Sequence, residues 1–133
     1  MLLVDTSVWS LALRRDEHLA HPEVELLRAA LAGGQPVVTT GLVLQELLQG
    51  FSGPSAAAAI IGRFSALPMI HPERDDHIAA AMLRNTCRRA GVQIGTIDAL
   101  LIQLCQRHEL TMLSTDGDFA NASVHVPFKF WRP

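Results

Sequence analysis

The sequence has little cysteine, a single lysine and no apolar run long enough to cross a membrane. Its two cysteines, Cys87 and Cys105, can form at most one disulfide, and we expect both to be reduced thiols in the core. No run approaches the roughly 18 to 20 apolar residues that a membrane span needs. Asp5 interrupts the apolar N-terminus before a signal-peptide core can form. We therefore expect a cytoplasmic protein with no disulfide framework and no membrane segment.

Several common catalytic motifs are also missing. A phosphate-binding loop needs Gly-x-x-x-x-Gly-Lys, and the only lysine is Lys129, close to the end of the sequence. The stretch Gly50–Gly53 resembles the start of a serine-hydrolase elbow, but Pro54 takes the place of the last glycine. The cysteines and histidines have no spacing that suits a tetrahedral zinc site. These absences argue against P-loop nucleotide hydrolysis, acyl transfer and zinc chemistry.

Length and composition predict one globular domain over residues 1–133. The apolar fraction is 49% and the mean hydropathy is +0.23, which provides material for a buried core and excludes disorder. The net charge of −2 excludes a polycation that binds nucleic acid indiscriminately. A local cluster must therefore bind any anionic partner. All basic residues except Lys129 are arginine, which suits forked contacts to phosphate but also fits a simple compositional bias.

Short apolar segments alternate with helical patterns along the chain. This alternation predicts a three-layer α/β domain with a five-stranded, mostly parallel sheet. The predicted strands lie at residues 2–4, 36–40, 68–71, 111–115 and 124–126. The predicted helices lie at about residues 6–13, 22–31, 41–51, 54–66, 73–90 and 96–109.

Acidic residues follow several of the predicted strands. Asp5 comes after the first strand, Asp116 and Asp118 after the fourth, and Glu46 in the helix after the second. Taken singly, each has an ordinary interpretation as a helix cap, a turn residue or part of a solvated helix face. In open parallel sheets, however, the reactive crevice lies at the carboxyl ends of the strands. Together with Asp98, these acids predict one acidic pocket there.

Asp98 is the strongest single indication of such a pocket. Helical spacing places it on the same side as Leu101, Ile102 and Cys105, which is the side expected to face the core. An acid in the first helical turn gains roughly 0.3 to 1 kcal/mol from the helix dipole. A buried, uncompensated carboxylate costs several kcal/mol, so a partner is needed. No lysine or arginine neighbours these acids in sequence, and carboxylates select Mg²⁺ or Mn²⁺.

At this point the sequence resembles the PIN-domain nucleases, and among them the compact VapC-like toxins of toxin–antitoxin pairs. The resemblance rests on four motifs in order, at residues 2–9, 44–50, 95–101 and 113–119. It implies a five-stranded parallel sheet between helices. It also implies a quartet of catalytic, metal-binding acids, with Asp118 as an auxiliary acid and Ser7 and Thr115 as polar supports. The implied quartet is Asp5, Glu46, Asp98 and Asp116.

The resemblance further implies a homodimeric endoribonuclease that cleaves RNA, such as tRNA or ribosomal RNA, and is inhibited by a cognate antitoxin. Residues 42–51 and 56–59 are candidates for the subunit or antitoxin interface, and residues 128–132 either stack on bases or pack against the protein. Four arginines either contact RNA phosphates or belong to ordinary solvated helix faces. They are Arg14, Arg15, Arg84 and Arg88.

Two other functions remain open from the residues themselves. One is a noncatalytic RNA-binding or scaffold module with the same fold, and the other is a receiver-like phosphate-signalling domain. The complete set of acids argues against the first. Lys129 is a poor candidate for the lysine that a receiver domain needs, which argues against the second.

Overall fold

The computed structural model describes residues 1–14, 21–51 and 53–133. Five strands, β1 to β5, lie at Leu2–Val4, Val37–Thr40, Met69–Ile70, Thr111–Leu113 and Lys129–Phe130. The helices of this described part, α1 to α7, lie at Thr6–Leu13, Pro22–Leu31, Gly41–Gly50, Pro54–Phe64, Arg74–Arg89, Thr96–His108 and Gly117–Ala122. None of these helices has the length and apolar character to span a membrane.

The strands form one parallel sheet in the order β3-β2-β1-β4-β5. The central strand β1 lies between β2 and β4. The chain runs from β1 to β2 and β3 on one side of the sheet, and then crosses to β4 and β5 on the other side. Between β1 and β4 the strand order therefore reverses, and open α/β sheets bind ligands at the carboxyl ends of the strands at such a point. Val4 pairs with Leu113, so Asp5 and Ser114 leave the sheet side by side.

The core confirms the predicted α/β/α architecture. All three residues of β1 are buried, as expected for a central strand that is covered by helices on both faces. Trp9 of α1 and Leu101 of α6 are among the largest fully buried side chains. Cys87 and Cys105 are free and buried, as predicted.

Helix capping places polar side chains at the carboxyl ends of three strands. Asp5 follows β1, Thr40 is the last residue of β2, and Asp116 lies shortly after β4. Each accepts a hydrogen bond from a main-chain N–H in the first turn of the next helix. The strand-to-helix turns are therefore short. Two of these capping residues are acids that the sequence analysis assigned to the acidic pocket.

The prediction of a strand at residues 124–126 is wrong. Main-chain N–H groups of Val124 and Val126 donate back to carbonyls of α7, and Val124 is 76% exposed. The fifth strand is Lys129–Phe130, which pairs with Thr111–Met112 at the edge of the sheet. The aromatic residues around it pack against the core, as expected for a packed C-terminal segment. Phe128 and Phe130 alternate with exposed Lys129, but three residues are too short a pattern to predict a strand.

A buried carboxylate connects α5 with α6. Asp76 is 1% exposed and accepts hydrogen bonds from the main-chain N–H of Glu73 and the side chains of Gln103 and Arg107. Arg107 also forms an ion pair with Glu73 at 3.3 Å. Since Gln103 and Arg107 belong to α6, these contacts fix the helix that carries Asp98.

Candidate metal centre

Three carboxylates meet where the loop after β4 approaches the start of α6. Asp98 lies in the first turn of α6, Asp116 caps α7, and Asp118 lies in the first turn of α7. Each offers one carboxylate oxygen, and these three oxygens lie within 4.8 Å of one another. The main-chain N–H of Asp118 donates to Oδ1 of Asp116 at 2.9 Å, which holds the two acids of α7 in a fixed relation.

Asp5 is held beside this cluster by Ser114. The Asp5 side chain is buried, and its Oδ2 accepts a hydrogen bond of 2.9 Å from Ser114 Oγ. Ser114 Oγ also accepts from the main-chain N–H of Asp116 at 2.9 Å. One buried hydroxyl therefore connects the acid after β1 with the acid after β4.

Ser114 was not among the site residues predicted from the sequence. A serine at the end of a strand is common, and nothing in the linear sequence shows that β1 and β4 are neighbours. Only the register between these strands in the folded structure places Ser114 beside Asp5.

The two predicted polar supports contact the same hydroxyl and loop. Ser7 Oγ lies 3.3 Å from Ser114 Oγ and accepts a hydrogen bond of 3.1 Å from the main-chain N–H of Thr115. Thr115 therefore contributes a main-chain hydrogen bond to Ser7, while the residue itself is exposed. Ser7 fixes the loop after β4 through its hydroxyl.

Glu46 approaches the site from α3. Its Oε1 accepts a hydrogen bond of 3.1 Å from Thr6 Oγ1, at the start of α1. The Glu46 carboxylate lies close enough for its negative charge to act on Asp98. Of the predicted quartet, only Asp98 and Asp116 belong to the tight group of three oxygens, whose third member is the predicted auxiliary acid Asp118. The metal-binding roles of all five acids stay predictions.

The electrostatics of this acidic pocket favour a bound cation. Partial burial is the largest cause that raises the pKa of Asp98, from its ordinary value of 3.8 to about 7. The remaining causes are the negative charges of Asp5, Asp116, Glu46 and Asp118. A cluster that offers only oxygen donors and is destabilised by its own negative charge fits a hard divalent cation.

The predicted RNA-contacting arginines have different surroundings. Arg14 is exposed at the end of α1, and Arg15 lies outside the described residues. Arg84 donates from Nε to the carbonyl of Ile94 at 2.8 Å, so part of its guanidinium supports the loop before α6. Arg88 donates to Asn85 on its own helix. Contact with RNA stays a prediction for all four.

Without divalent ions, we expect the free energy of unfolding to fall as the pH rises from about 4 to about 7. The folded-state pKa of Asp98 lies above its unfolded value, so the folded protein binds this proton more tightly and loses that advantage as the pH rises. The full shift corresponds to about 4 kcal/mol. We expect about 1–2 kcal/mol because solvent screens this half-buried carboxylate. Urea denaturation in EDTA across this pH range measures the effect.

Asp98→Asn is the matched control for this titration. The variant should unfold at nearly the same urea concentration as the wild type at about pH 3.5, where Asp98 is largely protonated in both the folded and the unfolded protein. At pH 8, where wild-type Asp98 is ionised, the variant should unfold at a higher concentration. Equal stability of the two proteins at both pH values would contradict the predicted electrostatic repulsion.

The chain is similar to proteins of known family and known structure. The PIN domain family model matches residues 2–124. Ribonuclease VapC23 of Mycobacterium tuberculosis is 30% identical over 126 residues, which is 92% of this chain and 98% of the relative. The crystal structure of Mycobacterium tuberculosis VapC20, a sarcin–ricin loop cleaving toxin, superposes with a TM-score of 0.73 at 22% identity, covering 100% of both chains.

A toxin–antitoxin complex from Klebsiella pneumoniae also contains a similar chain. Its TM-score is 0.69 at 17% identity, with 90% of this chain and 91% of that chain covered. At this level of identity the two solved structures demonstrate a shared fold, which agrees with the three-layer architecture described above.

Proposed function

The chain belongs to the PIN domain family, and on that premise we propose that it is a Mg²⁺- or Mn²⁺-dependent endoribonuclease, the toxin of a toxin–antitoxin pair. The match to the family covers most of the chain, and the relative of 30% identity is a ribonuclease. The proposed reaction is hydrolysis of RNA phosphodiester bonds that leaves 5′-phosphate and 3′-hydroxyl ends.

The observation that carries this proposal is the group of three carboxylate oxygens from Asp98, Asp116 and Asp118 within 4.8 Å of one another. When bound, Mg²⁺ or Mn²⁺ supplies Lewis-acid chemistry, by which it acidifies water and stabilises negative charge that develops on the phosphate. The three acids would hold the ion, with Asp5 directed by Ser114 as a further ligand.

The chain's own residues then provide positioning and proton transfer. Ser114 and Ser7 fix the loop after β4, which keeps Asp116 beside Asp5 before RNA arrives. Such preorganisation avoids a reorganisation cost during the reaction. Glu46, oriented by Thr6, would orient the ion or receive the proton of the attacking water.

We propose that the partners are RNA, a cognate antitoxin and a second copy of the chain, in the cytoplasm. The structural relative from Klebsiella pneumoniae is a toxin–antitoxin complex, which supports an antitoxin partner. Ile61 and Ile78 are large apolar residues exposed on α4 and α5, and such side chains are available for protein contacts.

Removal of divalent ions tests the proposed function. Purified protein is expected to cut a structured RNA internally in Mg²⁺ or Mn²⁺ and to lose this activity completely in excess EDTA. Added Mn²⁺ should restore it. Denaturing gels follow the cleavage, and ligation that requires a 5′-phosphate identifies the product ends.

The same experiment separates the nuclease from a noncatalytic RNA-binding module. Cleavage that persists in EDTA would rule out the metal mechanism. RNA that is bound but remains intact in both metals would favour the binding module.

A further inference from the structure

An open cleft of about 490 Å³ adjoins the metal centre on the α7 side. Its lining includes residues 91–93, Asp118, Asn121, and residues 124–125. Asp118 also belongs to the three-carboxylate group, so the cleft and the metal centre share one side chain. The volume lies in the range of roughly 300–1,000 Å³ that small-molecule sites occupy. The mechanism described above does not use this cleft.

One wall of the cleft is a loop held at both ends. Gly91 has a φ of +83°, a left-handed conformation that favours glycine and lets the chain turn sharply after α5. The main-chain N–H of Val92 donates to the carbonyl of Cys87 at 2.8 Å. On the other side, Arg84 Nε donates to the carbonyl of Ile94 at 2.8 Å. Gln93 is therefore presented from a fixed backbone.

The chemistry of the lining favours an uncharged planar ligand over a phosphate. No lysine or arginine belongs to the described lining, and Asp118 adds negative charge. The amides of Gln93 and Asn121 each offer hydrogen-bond donors and an acceptor. Val92 and Val124 add apolar surface, and His125 adds an aromatic ring. Proteins bind unstacked RNA bases with this combination of hydrogen bonding and stacking.

We propose that this cleft, which we call the amide cleft, binds one nucleobase of the RNA substrate, from a nucleotide next to the scissile phosphate. The inference rests on the proposed ribonuclease function for the identity of the ligand. Because Asp118 borders both places, a base in the cleft belongs to a nucleotide adjacent to the reacting one. Gln93 and Asn121 then determine which base is preferred at that position.

The test measures base preference by binding, independently of cleavage. Asp98→Asn protein is incubated with a randomised pool of short single-stranded RNA in Mg²⁺, and the bound fraction is sequenced. We expect one base to be enriched at one position by roughly 2- to 10-fold, as one or two side-chain hydrogen bonds would produce. Adding Asn121→Ala or Gln93→Ala should abolish the enrichment. Gln35→Ala, an amide before β2 at the opposite end of the sheet, should retain it.

Enrichment that is absent from the Asp98→Asn protein, or that survives both cleft variants, would overturn the proposal. An effect of these variants on inhibition by an antitoxin alone would assign the cleft to a protein interface and also overturn it. Melting temperatures confirm that each variant is folded. If wild-type protein cuts no RNA but the enrichment depends on Asn121 and Gln93, the nuclease proposal fails while the amide cleft stands. If the wild-type protein cuts RNA but the cleft variants keep the same base preference, the nuclease proposal stands and the amide cleft proposal fails.

Discussion

Asp98→Asn is expected to lower kcat/KM for RNA cleavage by roughly 10²- to 10³-fold, the loss typical when one electrostatic contribution to a transition state is removed. Asparagine has nearly the same shape as aspartate but no negative charge. The three-carboxylate group would keep its geometry and lose a third of its charge, so it would hold a divalent ion more weakly. Initial rates over a range of Mn²⁺ concentrations measure both losses.

Asp75→Asn is the matched control for this experiment. Asp75 is an exposed acid in the first turn of α5, and the substitution makes the same chemical change outside the acidic pocket. We expect its kcat/KM to remain within about twofold of the wild type, as for surface substitutions away from a site. Wild-type activity in Asp98→Asn would show that this carboxylate is not part of the catalytic group. A folding defect is not expected to complicate this result, because the substitution removes repulsion.

The position of Asp98 could be predicted because two local signals conflict there. The apolar spacing of Leu101, Ile102 and Cys105 defines the buried face of α6, and all three are buried in the structure. The helix dipole offsets only a small part of the cost of burying an acid on that face, which indicates a site. Asp5 and Asp116 were identified by a different signal, because both follow predicted strands. Asp5 directly follows β1, whereas β4 ends at Leu113, two residues earlier than predicted.

Ser114 and the fifth strand show what sequence patterns could not determine. The role of Ser114 depends on the pairing of β1 with β4, whose residues are more than a hundred positions apart, and no local pattern encodes such a contact. The fifth strand has two residues, which is too short for periodicity to distinguish from a turn. The segment 124–126 has two valines around a histidine, but it forms the turn after α7 instead.

Arg84 illustrates a second kind of ambiguity. Its spacing from Arg88 on one helix face suited phosphate contacts equally well as a solvated surface. In the structure, Arg84 Nε donates a hydrogen bond to the main-chain carbonyl of Ile94 in the loop before α6. A long side chain that supports a loop has the same sequence signature as one that binds a ligand, and only the folded position distinguishes them.

Asp76 was not identified as important from the sequence, although the structure makes it a principal tertiary contact of α5. Burial raises its pKa, but the main-chain hydrogen bond from Glu73 and the side chains of Gln103 and Arg107 together outweigh burial and lower the pKa. In the sequence, Asp76 is one of two adjacent acids at a helix start, where a capping role is the ordinary explanation.

Asp76→Ala is expected to lower the free energy of unfolding by about 3 kcal/mol, the lower part of the range for breaking a buried ion pair. The lower part applies because Arg107 is partly exposed and keeps its ion pair with Glu73. The remaining loss comes from main-chain and amide donors left without their acceptor. Urea denaturation at pH 7 measures this change.

Glu25→Ala provides the control, because Glu25 pairs with Arg28 at 3.3 Å on the exposed surface of α2. We expect that substitution to change the free energy of unfolding by at most about 0.5 kcal/mol.

The effect of Asp76→Ala on the free energy of unfolding should also depend on pH with a defined sign. A lowered folded-state pKa gives stability that is present above the unfolded value of 3.8 and lost as the pH falls through the folded value. The difference between wild type and Asp76→Ala should therefore persist at pH 7 and shrink in acid. If Asp76→Ala lowers the free energy of unfolding at pH 7 no more than Glu25→Ala does, the buried carboxylate does not stabilise the contact between α5 and α6, the helix that carries Asp98.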